Sequence, residues 1–344
     1  MIIAIDAMGG DKGIPVVIEG LAEAIHQYPD VQFLLFGDEK KIAHEIKVSK
    51  KPLPTSRYQI KHTTEEITMH DKLDALRHKR DSSIARATES VKEKQAQGVV
   101  AIGSTMAAVA CATMILRTLP GVKRPGIAVP MPNPTGFTIL CDAGASVNPK
   151  PEHILSYGLM ASLYTKLVLG KASPRVGLLN VGEERGKGSE FIQEVFELLS
   201  KADINFVGNA EGRQIFTGEF DVVVTDGFTG NIVLKTAEGT AELMIRLIKE
   251  EVTRTLIRSM AGKVIKPAFT MVKKRTDYSE AGGGVLLGVR GVVTIGHGRS
   301  DGRAVFNAIR VTREAIKAEL IEKITQAVEK AKGIAQGSQN AGTA

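Results

Sequence analysis

The feature that most constrains this chain is a recurring unit: a short apolar run, a turn rich in Gly or Asp, then an amphipathic segment. Apolar runs stand at 2–6, 31–36, 58–62, 99–103, 126–130, 137–142, 175–181, 204–208, 221–226 and 292–296. Helical patterns fill the spaces near 15–27, 82–97, 105–118, 152–169, 189–200 and 229–258. Continuous Val/Ile/Leu runs alternating with helices predict parallel strands buried on both faces. The expected architecture is a doubly wound α/β sheet, which binds ligands at the carboxyl ends of its strands. Pro15 suits a first helical position, where its missing N–H costs nothing. Ser300 or Asp301 is placed to cap a last helix over 302–331. One α/β unit is expected over 1–332, and the Gly/Ser/Gln-rich stretch 333–344 reads as a disordered tail.

Composition narrows the function. The 344 residues are 43% apolar and 24% charged, which excludes collagen-like, disordered and disulfide-scaffold chains. Trp is absent, Phe and Tyr number 11 and 5, and no helix-turn-helix is visible, so a nucleic-acid partner is not expected. Cys111 and Cys141 are too few for a disulfide framework and read as reduced, buried thiols. No signal peptide precedes the first strand run. The longest apolar run, 106–116, falls short of the roughly 20 residues of a spanning helix. A cytoplasmic protein follows, and its net charge of +7 favours acidic partners.

One stretch breaks the alternation. From Arg254 to Arg275 there are seven basic residues and no acidic one. Val252, Leu256, Met260, Val264 and Ala268 recur every four positions on one helical face. Gly262 and Pro267 interrupt the run, which predicts a helical hairpin over about 240–278 with its tip at Val264 and Ile265. Two uses fit: packing of the stems in a dimer, or contact of Met260, Val264 and Ile265, flanked by Lys263 and Lys266, with an anionic membrane surface.

Candidate chemistry lies in the turns. Asp6, Gly9 and Gly10 stand between the first strand and first helix, where backbone N–H groups can approach a phosphate. The turn lacks G-x-G-x-x-G, so it is not a dinucleotide fingerprint. Gly182 to Ser189 narrowly misses a P-loop but leaves Lys187 in a Gly-rich turn with Gly188 at a helix start. Asp226, Gly230 and Asn231 open a long helix, and Asn231 either donates to a ligand or caps the turn. Gly103, Ser104 and Thr105 end one strand, and His297 sits between glycines at the end of another. No metal-ligand spacing and no G-x-S-x-G elbow occur. The turns therefore suggest an enzyme that binds and positions phosphate, without metal or other cofactor.

Taken together, these turns resemble the bacterial phosphate acyltransferases, the PlsX family. The resemblance runs in order through Ala4 to Asp11; Leu116-Arg117, Pro120 to Val122 and Arg124-Pro125; Asp142 to Ala145 with Pro151 to His153; Asn180 to Glu184 with Lys187-Gly188; Asp226 to Asn231; and Gly296 to Gly298. It covers about residues 1–315. Two departures stand out: Ser104-Thr105-Met106-Ala107 replaces the usual Asn-Thr-Gly-Ala, and Ala281 replaces an aromatic.

The resemblance implies a Rossmann-like, mostly parallel sheet related to the phosphotransacetylases and the isocitrate/isopropylmalate dehydrogenases, with a protruding hairpin. It implies transfer of a long-chain acyl group from acyl carrier protein to inorganic phosphate. The acyl phosphate would pass to a glycerol-3-phosphate acyltransferase in phospholipid synthesis. A homodimer peripherally associated with the membrane through the hairpin is also implied. Lys187 and Asn231 are carried over as catalytic. The alternative donor is acyl-CoA, as in a phosphotransacetylase.

Overall fold

The structure is a computed structural model that describes residues 1–68, 71, 78–276, 280 and 282–341. Ala281 and residues 277, 278 and 342–344 lie outside the described residues. Eleven strands among the described residues form one sheet in the order β3-β2-β1-β4-β11-β10-β5-β6-β9-β7-β8. They are β1 (Ile2–Asp6), β2 (Gln32–Gly37), β3 (Tyr58–His62), β4 (Gly98–Gly103), β5 (Gly126–Asn133), β6 (Gly136–Cys141), β7 (Val176–Leu179), β8 (Phe206–Ala210), β9 (Val222–Val224), β10 (Gly284–Leu287) and β11 (Val292–His297).

Helices cover both faces, as the apolar runs require. They are α1 (Ile14–Gln27), α2 (Glu39–Val48), α3 (Ser83–Lys92), α4 (Thr105–Cys111), α5 (Pro151–Leu167), α6 (Glu190–Ser200), α7 (Gly227–Thr253), α8 (Leu256–Thr276), α9 (Gly302–Lys317) and α10 (Leu320–Ala341). Alternation along β1 shows the layering. Ile3 and Ile5 pack with Val17 and Leu21 of α1 and Val305 and Ile309 of α9, while Ala4 turns to the face holding Ile84 and Ala87 of α3.

Three differences from the sequence reading have physical causes. The sheet is mostly parallel but reverses at its centre, where β10 pairs antiparallel with β11 and β5, and β5 with β6. Consequently β6, β9, β7 and β8 run opposite to β1, β4 and β11, and the carboxyl ends face two edges instead of one. β10 escapes detection because Val285 to Leu287 stand between Gly282 to Gly284 and Gly288, a composition that reads as turn. α2 escapes because only Ile42 is buried; Asp38 starts it by accepting the N–H groups of Lys40 and Lys41 at 2.9 and 3.1 Å.

The hairpin exists, but its turn lies at residues 254–255, not between Gly262 and Pro267. Gly262 is a packing residue: a methyl there would overlap the Val252 side chain, so its absence lets α8 close on α7. Pro267 sits inside α8. It removes one N–H from a 21-residue helix that packs along α7. Val264 and Ile265 are therefore mid-helix, and Leu256 and Ile257 lie at the turn, 78% and 81% exposed. The expected last helix divides into α9, capped by Asp301 accepting the Ala304 N–H at 2.9 Å, and α10. α10 runs from Leu320 to Ala341.

Candidate active site

The first turn is built by close approach. A side chain at Gly9 would overlap the Ile102 carbonyl, so glycine there lets the β1 turn lie against the end of β4. Asp11 N–H donates to the Gly298 carbonyl at 2.7 Å, tying the same turn to the end of β11. Asp6, Gly9, Gly10, Gly103 and His297 thus gather at one edge of the sheet. Ser104 serves as the cap of α4, its hydroxyl accepting the Ala107 N–H at 3.3 Å. Thr105 follows, exposed, as the first residue of α4.

Asp6 is buried, and its Oδ1 accepts the Met8 N–H at 3.2 Å. Burial pushes its carboxyl from 3.8 up to about 6, against the pull of the Ser83 hydroxyl and the Met8 and Gly9 N–H groups. An open cavity of about 610 Å³ adjoins this turn, lined by Met8, Gly10 to Pro15, Lys40, Lys41, His44, Glu45 and Glu66.

The second group lies where β9 ends. Asp226 caps α7: Oδ1 accepts the Thr229 N–H at 2.9 Å and Oδ2 the Thr229 hydroxyl at 2.6 Å. Asn231 is thereby freed from capping, and its side chain stands beside Gly144 in the loop after β6. Gly230 lets α7 pack against the Asp142 carbonyl, which any larger residue would strike. Asp142 organises that loop. Oδ1 accepts the N–H groups of Ile127, Gly144 and Ala145, and Oδ2 that of Ser146, all within 2.8–3.0 Å. Its carboxyl is raised by burial and held back by those four donors.

Lys187 lies in the loop after β7, the neighbour of β9. Its carbonyl accepts Asn180 Nδ2 at 3.1 Å, its N–H donates to the Glu184 carbonyl, and its stem passes over Gly182. Gly188 follows with φ of 89°, and Ser189 caps α6. A cavity of about 510 Å³ separates α6 from α7, lined by Val147 to Pro149, Phe191, Asp226, Phe228 and Thr229. The contacts of Lys187 stay within its own loop, so the chain does not join it directly to the Gly9 and His297 cluster.

What joins the two edges is α7. Asn231 stands beside Gly144, and Lys235, one turn or about 6 Å further along the axis, reaches His297. Asn231, Lys235, Glu238 and Glu242 share one face of α7. Lys235 Nζ donates to Glu238 Oε2 at 2.7 Å and lies 3.2 Å from His297 Nε2, and Arg299 reaches Glu242 at 3.1 Å. Lys235 and Glu238 were not among the sequence candidates, and Asp142 entered only through the stretch Asp142 to Ala145 that carries the resemblance. The available signals were the i+4 spacing of Lys235 from Asn231, and Asp142 two residues before a glycine.

A glycine-built strand end and an amide-bearing helix start, on an α/β fold, mark a candidate transferase site. Cys111 and Cys141 are buried, the first with its thiol pushed up to about 12 by burial. In fold the chain is similar to a phosphotransacetylase from Streptococcus pyogenes (TM-score 0.62, 15% identity, 96% of this chain and 94% of that one). It is also similar to the EutD phosphotransacetylase from Staphylococcus aureus (TM-score 0.59, 16% identity, 95% and 94% covered).

The chain belongs to the family described as fatty acid synthesis protein, which matches residues 1–323, and its relatives are acyltransferases. Among similar sequences, a protein from Pelotomaculum thermopropionicum is 44% identical over 96% of this chain and 95% of its own length. One from Halothermothrix orenii is 42% identical over 96% of this chain and 99% of its own length. Both are named phosphate acyltransferase.

Proposed function

We propose that this enzyme transfers a long-chain acyl group from acyl carrier protein to inorganic phosphate, releasing acyl phosphate and the carrier's thiol. The observation that supports this most is the match over 94–96% of the chain to proteins named phosphate acyltransferase. Phosphate has its second pKa near neutrality, so its dianion attacks without a strong protein base, and the enzyme's task is positioning and electrostatics. Phosphate sits against the Gly9-Gly10 and Gly103 to Thr105 turns and His297, with Lys187 in the loop of Gly182 and Gly188 supplying a cation from the β7 side. The Asn231 amide, beside Asp226 and Gly230, donates to the oxyanion as the phosphate oxygen bonds to the thioester carbon. The C–S bond then breaks and the pantetheine thiolate leaves. Buried thiols with raised pKa values favour this direct route over an acyl-enzyme on Cys111 or Cys141.

The same reading places the enzyme in phospholipid synthesis, ahead of a glycerol-3-phosphate acyltransferase, as a cytoplasmic homodimer peripherally bound to an anionic membrane surface. The hairpin supports this part. Met260 and Val264 on α8 are 59% and 79% exposed, Ile265 lies beside them, and Lys263 and Lys266 flank them. Among the described residues no helix is long and apolar enough to cross a membrane. The test is one assay with two donors. Acyl carrier protein thioester plus phosphate should release thiol and acyl phosphate together, and faster than acyl-CoA does. Equal or faster use of acyl-CoA would favour a phosphotransacetylase-type enzyme.

A further inference from the structure

The cavity between α6 and α7 differs in chemistry from the cavity beside the first turn. Lys12, Lys40 and Lys41 border the latter, whereas no basic side chain lines the former among the described residues. Val147, Pro149, Phe191 and Phe228 make up most of its wall, and Val147 and Phe228 are exposed. Two of its polar groups are already engaged with each other, since Asp226 accepts both the N–H and the hydroxyl of Thr229. A concave apolar wall of this kind selects an apolar ligand, because covering it removes apolar surface from water. Three segments lead to this wall from residues placed in the reaction. Asn231 stands beside Gly144, and three positions away along each segment come Phe228 and Val147. Residues 228 and 231 share one face of α7 because they are three apart. Phe191 follows Lys187 by four positions, as the second residue of α6.

We propose that this cavity holds the hydrocarbon tail of the acyl group. The carbonyl end lies toward Asn231, and the tail passes over Phe228 between Val147 and Phe191. This rests on the reading of the reaction as acyl transfer to phosphate, and it names the part of the donor that the site selects. The cavity's volume of about 510 Å³ lies within the roughly 300–1,000 Å³ of small-ligand sites. Chain-length preference then arises here, since each methylene that enters the cavity leaves water.

The test is equilibrium binding of straight-chain alkylphosphonates, from butyl to dodecyl and below their micelle concentrations, to the full-length protein by calorimetry. These probes pair a hydrocarbon chain with an anionic phosphorus head and contain no thioester, so binding is read without turnover. Wild-type affinity should rise by about fourfold for each added methylene and level off once the cavity is full. Phe228→Asp sets a carboxylate beside the chain at the start of α7, where an acidic residue suits the helix. It should cut the gain from butyl to dodecyl by at least about tenfold. Val147→Trp fills part of the cavity, so the rise should stop at a shorter chain. Wild-type affinity that does not depend on chain length overturns the proposal. So do folded variants with the chain-length dependence of wild type, the result if chains adhered to the hairpin instead. Chain-dependent binding that both variants change, without acyl phosphate formation, would refute the reaction and leave the pocket standing.

Discussion

Asp6→Asn tests whether the first turn stores an ionisation cost. The Asp6 carboxyl sits at about 6 in the folded chain against 3.8 for an ordinary aspartate, because burial outweighs the donors around it. Between those two values the folded protein keeps a proton that the unfolded chain has released. The group's contribution is thus fully present below 3.8 and is lost as pH rises through about 6. A shift of about two pKa units corresponds to roughly 3 kcal/mol. Asparagine cannot ionise, and its Oδ1 still accepts the Met8 N–H. The stability of Asp6→Asn relative to wild type should rise from pH 4 to pH 7 by up to about 3 kcal/mol and then level off. Urea unfolding of both proteins at matched concentration measures this, since the other titrating groups cancel in the difference. A stability difference that stays flat across that range refutes the reasoning.

Lys187→Ala should lower turnover on the order of 10²–10³ with an unchanged Tm, because the residue stands in an exposed loop; retention of more than about half the rate would make it a bystander. Asn231→Ala should lose rate similarly without melting the start of α7, which Asp226 caps, as a thermal melt alongside the assay will show. Replacing both cysteines by serine should leave chemistry intact in folded protein, and an acyl-thioester trapped on either would sink direct attack. Leu256→Asp with Ile257→Asp should reduce sedimentation with anionic vesicles while turnover of the soluble carrier substrate persists. Each buried aliphatic side chain is worth roughly 1.5–3 kcal/mol there, so unchanged pelleting would remove the turn as anchor.

The strands were legible wherever an apolar run was long enough to be buried on both faces, as in β1, β4 and β11. β10 was illegible because glycines crowd its apolar residues on both sides, and the helix α2 because it hides almost nothing. The direction of the central strands left no trace, because Ile127 and Leu140 look the same in either orientation. The site shows the same division. Glycines marking close approach, such as Gly9 and Gly230, announce themselves in sequence. Lys235 and Glu238 matter only because α7 carries them to His297, across 59 or more positions that no local pattern links. Gly262 and Pro267 misled for a related reason: a residue that permits a turn also permits two helices to touch.

The face of α7 that carries Asn231, Lys235, Glu238 and Glu242 fixes a phase as well as a place. Each inserted residue rotates everything beyond it by 100°. A single insertion between Asn231 and Glu242 would swing the later side chains away from His297 and Arg299, even though the helix stayed intact. Seven inserted residues would nearly restore the angle but push those groups about 10 Å along the axis. The chain is therefore bound here to one length, while beyond Glu242 α7 packs with α8. The part of α7 between the two sheet edges works as a gauge block, setting how far apart the two halves of the site stand.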